Sequence, residues 1–135
     1  MELPIELKAI DGAEQLYAWF GDWPSFHDAE VIELHLSRRS SSSLAIHTWK
    51  MTSEVDVKGY YVHTKDVVVE FVLNGISDLS LNGFSHQNVI FGLAVDKIET
   101  GFRLTLKDCY GISGVIEAKE ISIRLRPGKP QDARS

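Results

Sequence analysis

Residues 65–75, KDVVVEFVLNG, decide the fold because they carry the strongest strand pattern in the chain. Five of these residues are β-branched or aromatic: Val67, Val68, Val69, Phe71 and Val72. Such side chains fit the pleated, half-buried surface of a sheet. The Asn–Gly pair at positions 74 and 75 is typical of a turn, so we expect the strand to end there.

Alternation of apolar and polar residues predicts two further strands upstream. In EVIELHLS (30–37), one predicted face carries Val31, Glu33 and His35, and the other carries Ile32, Leu34 and Leu36. SLAIHTWKM (43–51) places Leu44, Ile46 and Thr48 opposite Ala45, His47 and Trp49. The polar run RRSSSS (38–43) lies between the two alternating segments and predicts a hairpin turn.

The second half of the chain continues in the same manner. Short strands are expected on both sides of NGFSHQN (82–88), then in TGFRLTLKDCYG (100–111) and SGVIEAKEISIRLRP (113–127). No second helical pattern is long enough for a crossover between parallel strands. The sequence therefore predicts an α+β fold with mainly antiparallel sheets of about six to eight short strands and one N-terminal helix.

That helix is expected in IDGAEQLYAWF (10–20). Asp11 is a candidate N-cap and Glu14, three residues later, its capping-box partner. Leu16, Trp19 and Phe20 share one apolar face. Gly21 is expected to end the helix.

Length and composition indicate one domain, expected over residues 1–127, with residues 128–135 as a disordered tail. One cysteine and an N-terminus without the features of a signal peptide favour the cytoplasm. Residues 1–35 carry eight acidic side chains and one basic one, a net charge of −7 within a total of −5. This distribution disfavours nucleic acid and favours a basic partner or a solvated acidic face.

The segment WPSFHDAE (23–30) places His27, Asp28 and Glu30 beside two aromatic residues. These groups could serve in acid–base chemistry or as metal ligands. However, the five histidines lie in five separate segments, without the spacing that zinc sites use. The alternative is structural: Phe26 anchors the loop and a buried His–Asp pair fixes the corner between the helix and the first strand. No metal or cofactor is therefore expected.

A second polar stretch, NGFSHQNVI (82–90), contains His86, Gln87 and Asn88. Their side chains can each donate and accept hydrogen bonds, so they could form a recognition patch or satisfy the backbone of an irregular connection. Cys109 is expected to be a structural residue at a strand end, since nothing nearby would lower the pKa of its thiol. No catalytic arrangement is evident.

Three stretches together resemble the bacterial family immunity protein 50: WPSFHDAEVIELHLSR (23–38), GISDLSLNGFSHQNVI (75–90) and GFRLTLKDCYGISGVIEAKEISI (101–123). The resemblance spans most of residues 19–123 and implies a small α+β protein that neutralises a cognate toxin in a polymorphic-toxin system, without catalysis. The acidic N-terminal third and the lack of an apolar stretch of about 18 residues predict no contact with nucleic acid or membrane. The candidate interaction or structural residues are Trp23, His27, Asp28, Glu30, Glu33, His86, Gln87 and Asn88. Two alternatives stay open at this point: a small metal-dependent or His/Asp-based enzyme, and a ligand-binding module that dimerises through a strand edge.

Overall fold

The computed structural model describes residues 3–59 and 61–130, with the backbone alone described for residues 51–53 and 61–63. In this part of the chain a short 3-10 helix, Ile5–Ala9, precedes helix α1, Ala13–Phe20. Six strands follow in the described residues: β1 Glu30–His35, β2 Ser42–Val55, β3 Tyr61–Asn82, β4 Val89–Ile98, β5 Gly101–Tyr110 and β6 Ser113–Pro127.

The strands form one antiparallel sheet that closes on itself in the order β1-β2-β3-β6-β5-β4. Strands that are consecutive in the chain pair with each other, apart from β3 and β4. Strand β3 pairs with β6 instead, and β4 pairs with β1. The helix and the antiparallel sheet confirm the predicted α+β class. The pairing of β1 with β4 closes the barrel and, as described below, brings the two polar stretches of the sequence together.

The central strand β3 confirms the pattern that predicted it but is longer than expected. Val67, Val69, Phe71 and Leu73 are buried in the core. The prediction that Asn74 and Gly75 end the strand is wrong. Gly75 has a left-handed φ of 68°, and a register shift against β6 follows between Ile76 and Asp78, after which pairing continues to the end of β3. The Asn–Gly pair therefore bends a strand that hydrogen bonds to β6 keep continuous.

Strand β1 departs from simple alternation. A register shift against β2 lies between Val31 and Glu33, which changes the face that later residues present. As a result Val31 and Leu34 both contact the core, whereas Glu33 is exposed. The predicted grouping of Val31 with Glu33, and of Leu34 with Leu36, is therefore wrong. Strand β2 keeps its predicted faces, with Leu44, Ile46 and Thr48 buried.

Helix α1 covers the core at one side of the sheet, with Leu16 and Phe20 buried. It ends at Gly21, which has a left-handed φ of 76°, as predicted. The predicted Asp11 cap is wrong, because the helix begins after Gly12 and has no side-chain cap. Asp11 instead forms a bridge to Ser122, with its carbonyl accepting from the Ile123 amide at 2.7 Å. This backbone contact fixes the start of the helix against β6.

Part of the domain prediction concerns residues that the structure does not describe. Residues 131–135 of the expected disordered tail are outside the described residues, so the division at residue 127 stays a prediction. Within residues 3–59 and 61–130, no helix is long and apolar enough to cross a membrane.

Candidate functional site

The corner segment, residues 22–29, joins helix α1 to strand β1 through an unusual backbone path. Phe26 and Asp28 both have positive φ, 62° and 64°, although neither is glycine. Phe26 is 1% exposed, and its ring centroid lies 5.9 Å from that of Phe71. A left-handed backbone is costly for a bulky residue, so the burial of Phe26 must be part of what holds this conformation. The sequence correctly predicted Phe26 as the anchor of the loop.

Backbone hydrogen bonds between the corner segment and β4 close the barrel. The Asp28 amide donates to the Ile90 carbonyl at 3.0 Å, and the Ile90 amide donates to the Ala29 carbonyl at 2.9 Å. One step further, the Val31 amide donates to the Asn88 carbonyl at 2.8 Å. We call this pairing of residues 28–31 with residues 88–90 the closing seam. It places the two polar stretches of the sequence side by side.

His27 and Asp28 face solvent, with 55% and 58% of their side chains exposed. The expectation of a buried His–Asp pair is therefore wrong. The Nε2–Oδ2 distance of 3.6 Å between them is too long for a hydrogen bond. His27 Nδ1 instead lies 3.0 Å from the Phe91 carbonyl oxygen; because a carbonyl can only accept, Nδ1 carries the proton. In this segment the side chain that points into the core is Phe26, so the His27 and Asp28 side chains lie on the surface.

The corner segment separates two pockets. The larger, of about 640 Å³, is lined by residues that include Trp23, Pro24, His27, Phe91 and Lys107. The smaller, of about 360 Å³, has Trp23 and His27 on one wall and residues 48–50 of β2 on the other. Trp23 is partly buried against the core and contributes to both pockets.

Phe91 is a site residue that the sequence analysis missed. It is 58% exposed, and the His27 ring packs edge-on against it with centroids 5.0 Å apart. Strand alternation could have predicted that Phe91 faces outward, because its neighbour Ile90 points into the core. Its position beside His27 could not, because the pairing of β1 with β4 has no local pattern.

The crossing connection, residues 83–88, leads from β3 to β4 and has a different character. Asn88 is 3% exposed. Its Oδ1 accepts from the Ser85 amide at 2.8 Å, and its Nδ2 donates to the Ser85 carbonyl at 2.8 Å. Both ends of the buried amide are thus satisfied within the connection. Asn88 is structural here, whereas His86 and Gln87 are exposed.

The remaining candidates, Glu30 and Glu33, lie on β1 opposite His47 and Ala45 of β2. Glu33 is exposed and Glu30 is partly buried. A half-buried His–Asp pair exists elsewhere: His47 Nε2 lies 2.8 Å from Asp66 Oδ2. The sequence placed His47 on the correct face, beside Trp49, but could not give the register that brings Asp66 to it.

The described residues do not assemble a metal site. Among the side chains that the structure describes, those of residues 3–50, 54–59 and 64–130, no group of three or more His, Cys, Asp or Glu could hold a metal ion. The two histidines beside aspartates contact different strands: His27 bonds to the Phe91 carbonyl of β4, whereas His47 of β2 bonds to Asp66 of β3.

Comparison with known proteins gives one positive finding. The family model described as immunity protein 50 matches residues 12–125, from the residue before α1 to two residues before the end of β6. The match includes the corner segment, the closing seam and the crossing connection. Searches of curated proteins and of solved structures found no match. The extent of the family match shows that this chain belongs to the immunity protein 50 family.

Proposed function

We propose that this protein binds a cognate bacterial toxin directly and neutralises it by covering a surface that the toxin needs. The family match over residues 12–125 is the observation that carries the proposal. In this reading the chain contributes binding alone, and the toxin belongs to a polymorphic-toxin system of the same cell. A single cysteine is compatible with a reducing compartment, so we place the protein in the cytoplasm.

The surface charge supports a partner with a basic face. The acidic side chains of the N-terminal third are mostly exposed: Glu6, Asp11, Glu14, Asp22, Asp28 and Glu33. Clustered negative charge accelerates encounter with a positive surface and disfavours partners of the same sign. A toxin that acts on nucleic acid would carry such a positive surface, because its substrate is anionic.

Two histidines contribute contacts that hold the fold. His27 Nδ1 donates to the Phe91 carbonyl, and His47 Nε2 lies 2.8 Å from Asp66 Oδ2. The proposed binding function assigns these two rings a positioning role and requires no reaction at either of them.

Co-expression with the product of the gene immediately upstream tests the function. We expect rescue of growth, and a one-to-one complex by size-exclusion chromatography with light scattering. Light scattering of the free chain also measures whether it dimerises. A toxin of unrelated sequence, expressed from the same vector, controls for non-specific protection.

Salt dependence then tests the electrostatic part of the proposal. Raising the ionic strength from about 0.05 M to 0.5 M shortens the screening length severalfold, so the association rate constant should fall by about tenfold or more. Absence of both rescue and complex at low salt would contradict the function. A complex whose association rate constant does not change with ionic strength would contradict the basic partner surface but not the binding function.

A further inference from the structure

The smaller pocket, of about 360 Å³, lies between the corner segment and strand β2. Trp23 lines it from the corner segment and Trp49 from β2, and both residues are partly buried. Phe20 and Pro24 add further apolar surface to the lining. A pocket with several aromatic residues in its lining favours a ligand that presents a flat apolar ring.

Thr48 gives this pocket a buried hydroxyl without a partner. Thr48 lies on the inward face of β2, lines the pocket and is 4% exposed. No described residue forms a hydrogen bond with its hydroxyl. A buried hydroxyl that lacks a partner costs free energy. A ligand that brought a hydrogen-bonding group to Thr48 would remove that cost.

Other polar groups of the lining can bond to the same ligand group. Lys50 Nζ donates to the Phe20 carbonyl at 3.2 Å, and an ammonium has three protons, so it can donate to a second acceptor. Ser25 Oγ accepts from the His27 amide at 3.2 Å, and a hydroxyl that accepts can still donate its proton. A ligand that both accepts and donates therefore matches this pocket better than one that only donates.

The charges of the described lining cancel. Asp22 is its acidic residue and Lys50 its basic residue. Asp22 Oδ1 accepts from the Trp23 amide at 2.8 Å, which keeps the carboxylate beside the corner segment. A cationic ligand would be repelled by Lys50 and an anionic one by Asp22, so the pocket favours an uncharged ligand.

Among protein side chains, that of tyrosine meets all of these conditions. Its ring is flat and apolar, it is uncharged at neutral pH, and its hydroxyl both donates and accepts. Phenylalanine offers Thr48 no partner, and the tryptophan indole can only donate. Asparagine and glutamine lack the ring, and histidine gains a charge close to neutral pH.

We infer that the smaller pocket binds a phenol ring, and that the ring is a tyrosine side chain of the toxin whose hydroxyl bonds to Thr48. This inference rests on the proposed function and deepens it by naming one anchor residue of the partner. An aromatic ring whose polar tip finds a buried partner is typical of the residues that dominate the energy of an interface.

Two small probes test the pocket in the free chain. p-Cresol has the ring and hydroxyl of tyrosine, whereas toluene has the ring alone. Followed by NMR of the isotope-labelled chain, p-cresol should shift the indole signals of Trp23 and Trp49. It should bind about three- to tenfold more tightly than toluene, because it adds one hydrogen bond to a buried hydroxyl. Equal affinities, or unchanged indole signals, would overturn the inference.

Thr48→Val replaces the hydroxyl with a methyl group of similar size. Because the hydroxyl has no partner among the described residues, the free variant should unfold at the temperature of the parent chain or above it. Its affinity should fall about three- to tenfold for p-cresol and change less than about twofold for toluene. A lower unfolding temperature would show that the fold already satisfies the hydroxyl, and would contradict the inference.

Two further variants control this experiment. Thr48→Ser keeps the hydroxyl and should keep the preference for p-cresol over toluene. Thr105→Val removes a partly buried hydroxyl from β5, outside the lining of this pocket, and should change neither affinity by more than about twofold. Loss of the preference in Thr105→Val as well would show that the effect is not specific to the pocket.

The toxin then separates the occupant from the function. With the upstream gene product as partner, Thr48→Val should raise Kd about three- to tenfold, and Thr105→Val should leave it within about twofold. If the parent chain binds the toxin and Thr48→Val binds it equally well, the tyrosine assignment is wrong while the function stands. If the parent chain prefers p-cresol but does not bind the toxin, the proposed function fails, and the toxin is not the source of the ring.

Discussion

The corner segment (residues 22–29) and the crossing connection (residues 83–88) resemble each other in sequence and differ in structure. Each is a short, polar, histidine-containing stretch, and each leads into a strand of the closing seam. In the corner segment the buried residues are apolar, Phe26 and Ala29, and the titratable side chains project into solvent. In the crossing connection the buried residue is polar Asn88, whose amide is satisfied by Ser85.

The difference shows that polar density in a sequence does not identify a binding surface. Asn88 stabilises its own connection because both ends of its side chain bond to backbone atoms of Ser85. His27 and Asp28 are held by backbone geometry and contribute their side chains to the surface. Asn88 is thus a polar residue that stabilises the fold, whereas His27, Asp28, His86 and Gln87 are polar residues on the surface.

The largest expected effect is on stability, at the anchor of the corner segment. Phe26→Ala should lower the free energy of unfolding by about 3–5 kcal/mol, because it removes a fully buried ring that packs on Phe71. Urea denaturation measures this change. Phe84→Ala is the matched control and should cost less than about 0.5 kcal/mol, since Phe84 is exposed. Similar losses for the two variants would contradict the burial assigned to Phe26.

A smaller loss is expected in the crossing connection. Asn88→Ala removes two hydrogen bonds to Ser85 and should lower the free energy of unfolding by about 1–3 kcal/mol. Gln87→Ala, one residue earlier and exposed, should be neutral within about 0.5 kcal/mol. Denaturant titration of both variants makes the comparison. A neutral Asn88→Ala variant would remove the structural role that distinguishes the two segments.

The smallest effect is expected at His27. His27→Ala removes one side-chain hydrogen bond at an exposed site and should cost about 0.5–1 kcal/mol in the free energy of unfolding. His86→Ala, on the exposed part of the crossing connection, is the matched control and should be neutral within about 0.5 kcal/mol. Denaturant titration of both variants makes the comparison. Equal losses at the two positions would remove the structural role of the contact between His27 and Phe91.

Much of the fold could be predicted because local patterns determine it. The buried faces of β2 and β3 follow from alternation, and the end of α1 follows from Gly21. The predictions failed where a contact distant in sequence overrides the local pattern. Pairing with β6 continues β3 past Asn74, and a register shift against β2 changes the outward residue of β1. Asp11 pairs with β6 through its backbone and does not cap the helix.

The candidate site was predicted only in part, because some of its contacts join residues that are distant in sequence. The sequence drew attention to both polar stretches and to Phe26 as an anchor. It could not show that β1 pairs with β4, and without that pairing Phe91 has no relation to His27. Positive φ at Phe26 and Asp28 is equally invisible to residue propensity, because it depends on the hydrogen bonds of the closing seam.

Titration of the labelled chain with the unlabelled upstream gene product tests the central claim, direct binding to a cognate toxin, most directly. At 15.2 kDa the labelled chain suits solution NMR. We predict chemical-shift changes or line broadening at one contiguous set of surface amides, which an unrelated toxin does not produce. Spectra that stay unchanged at equimolar toxin and low salt would contradict the proposed function.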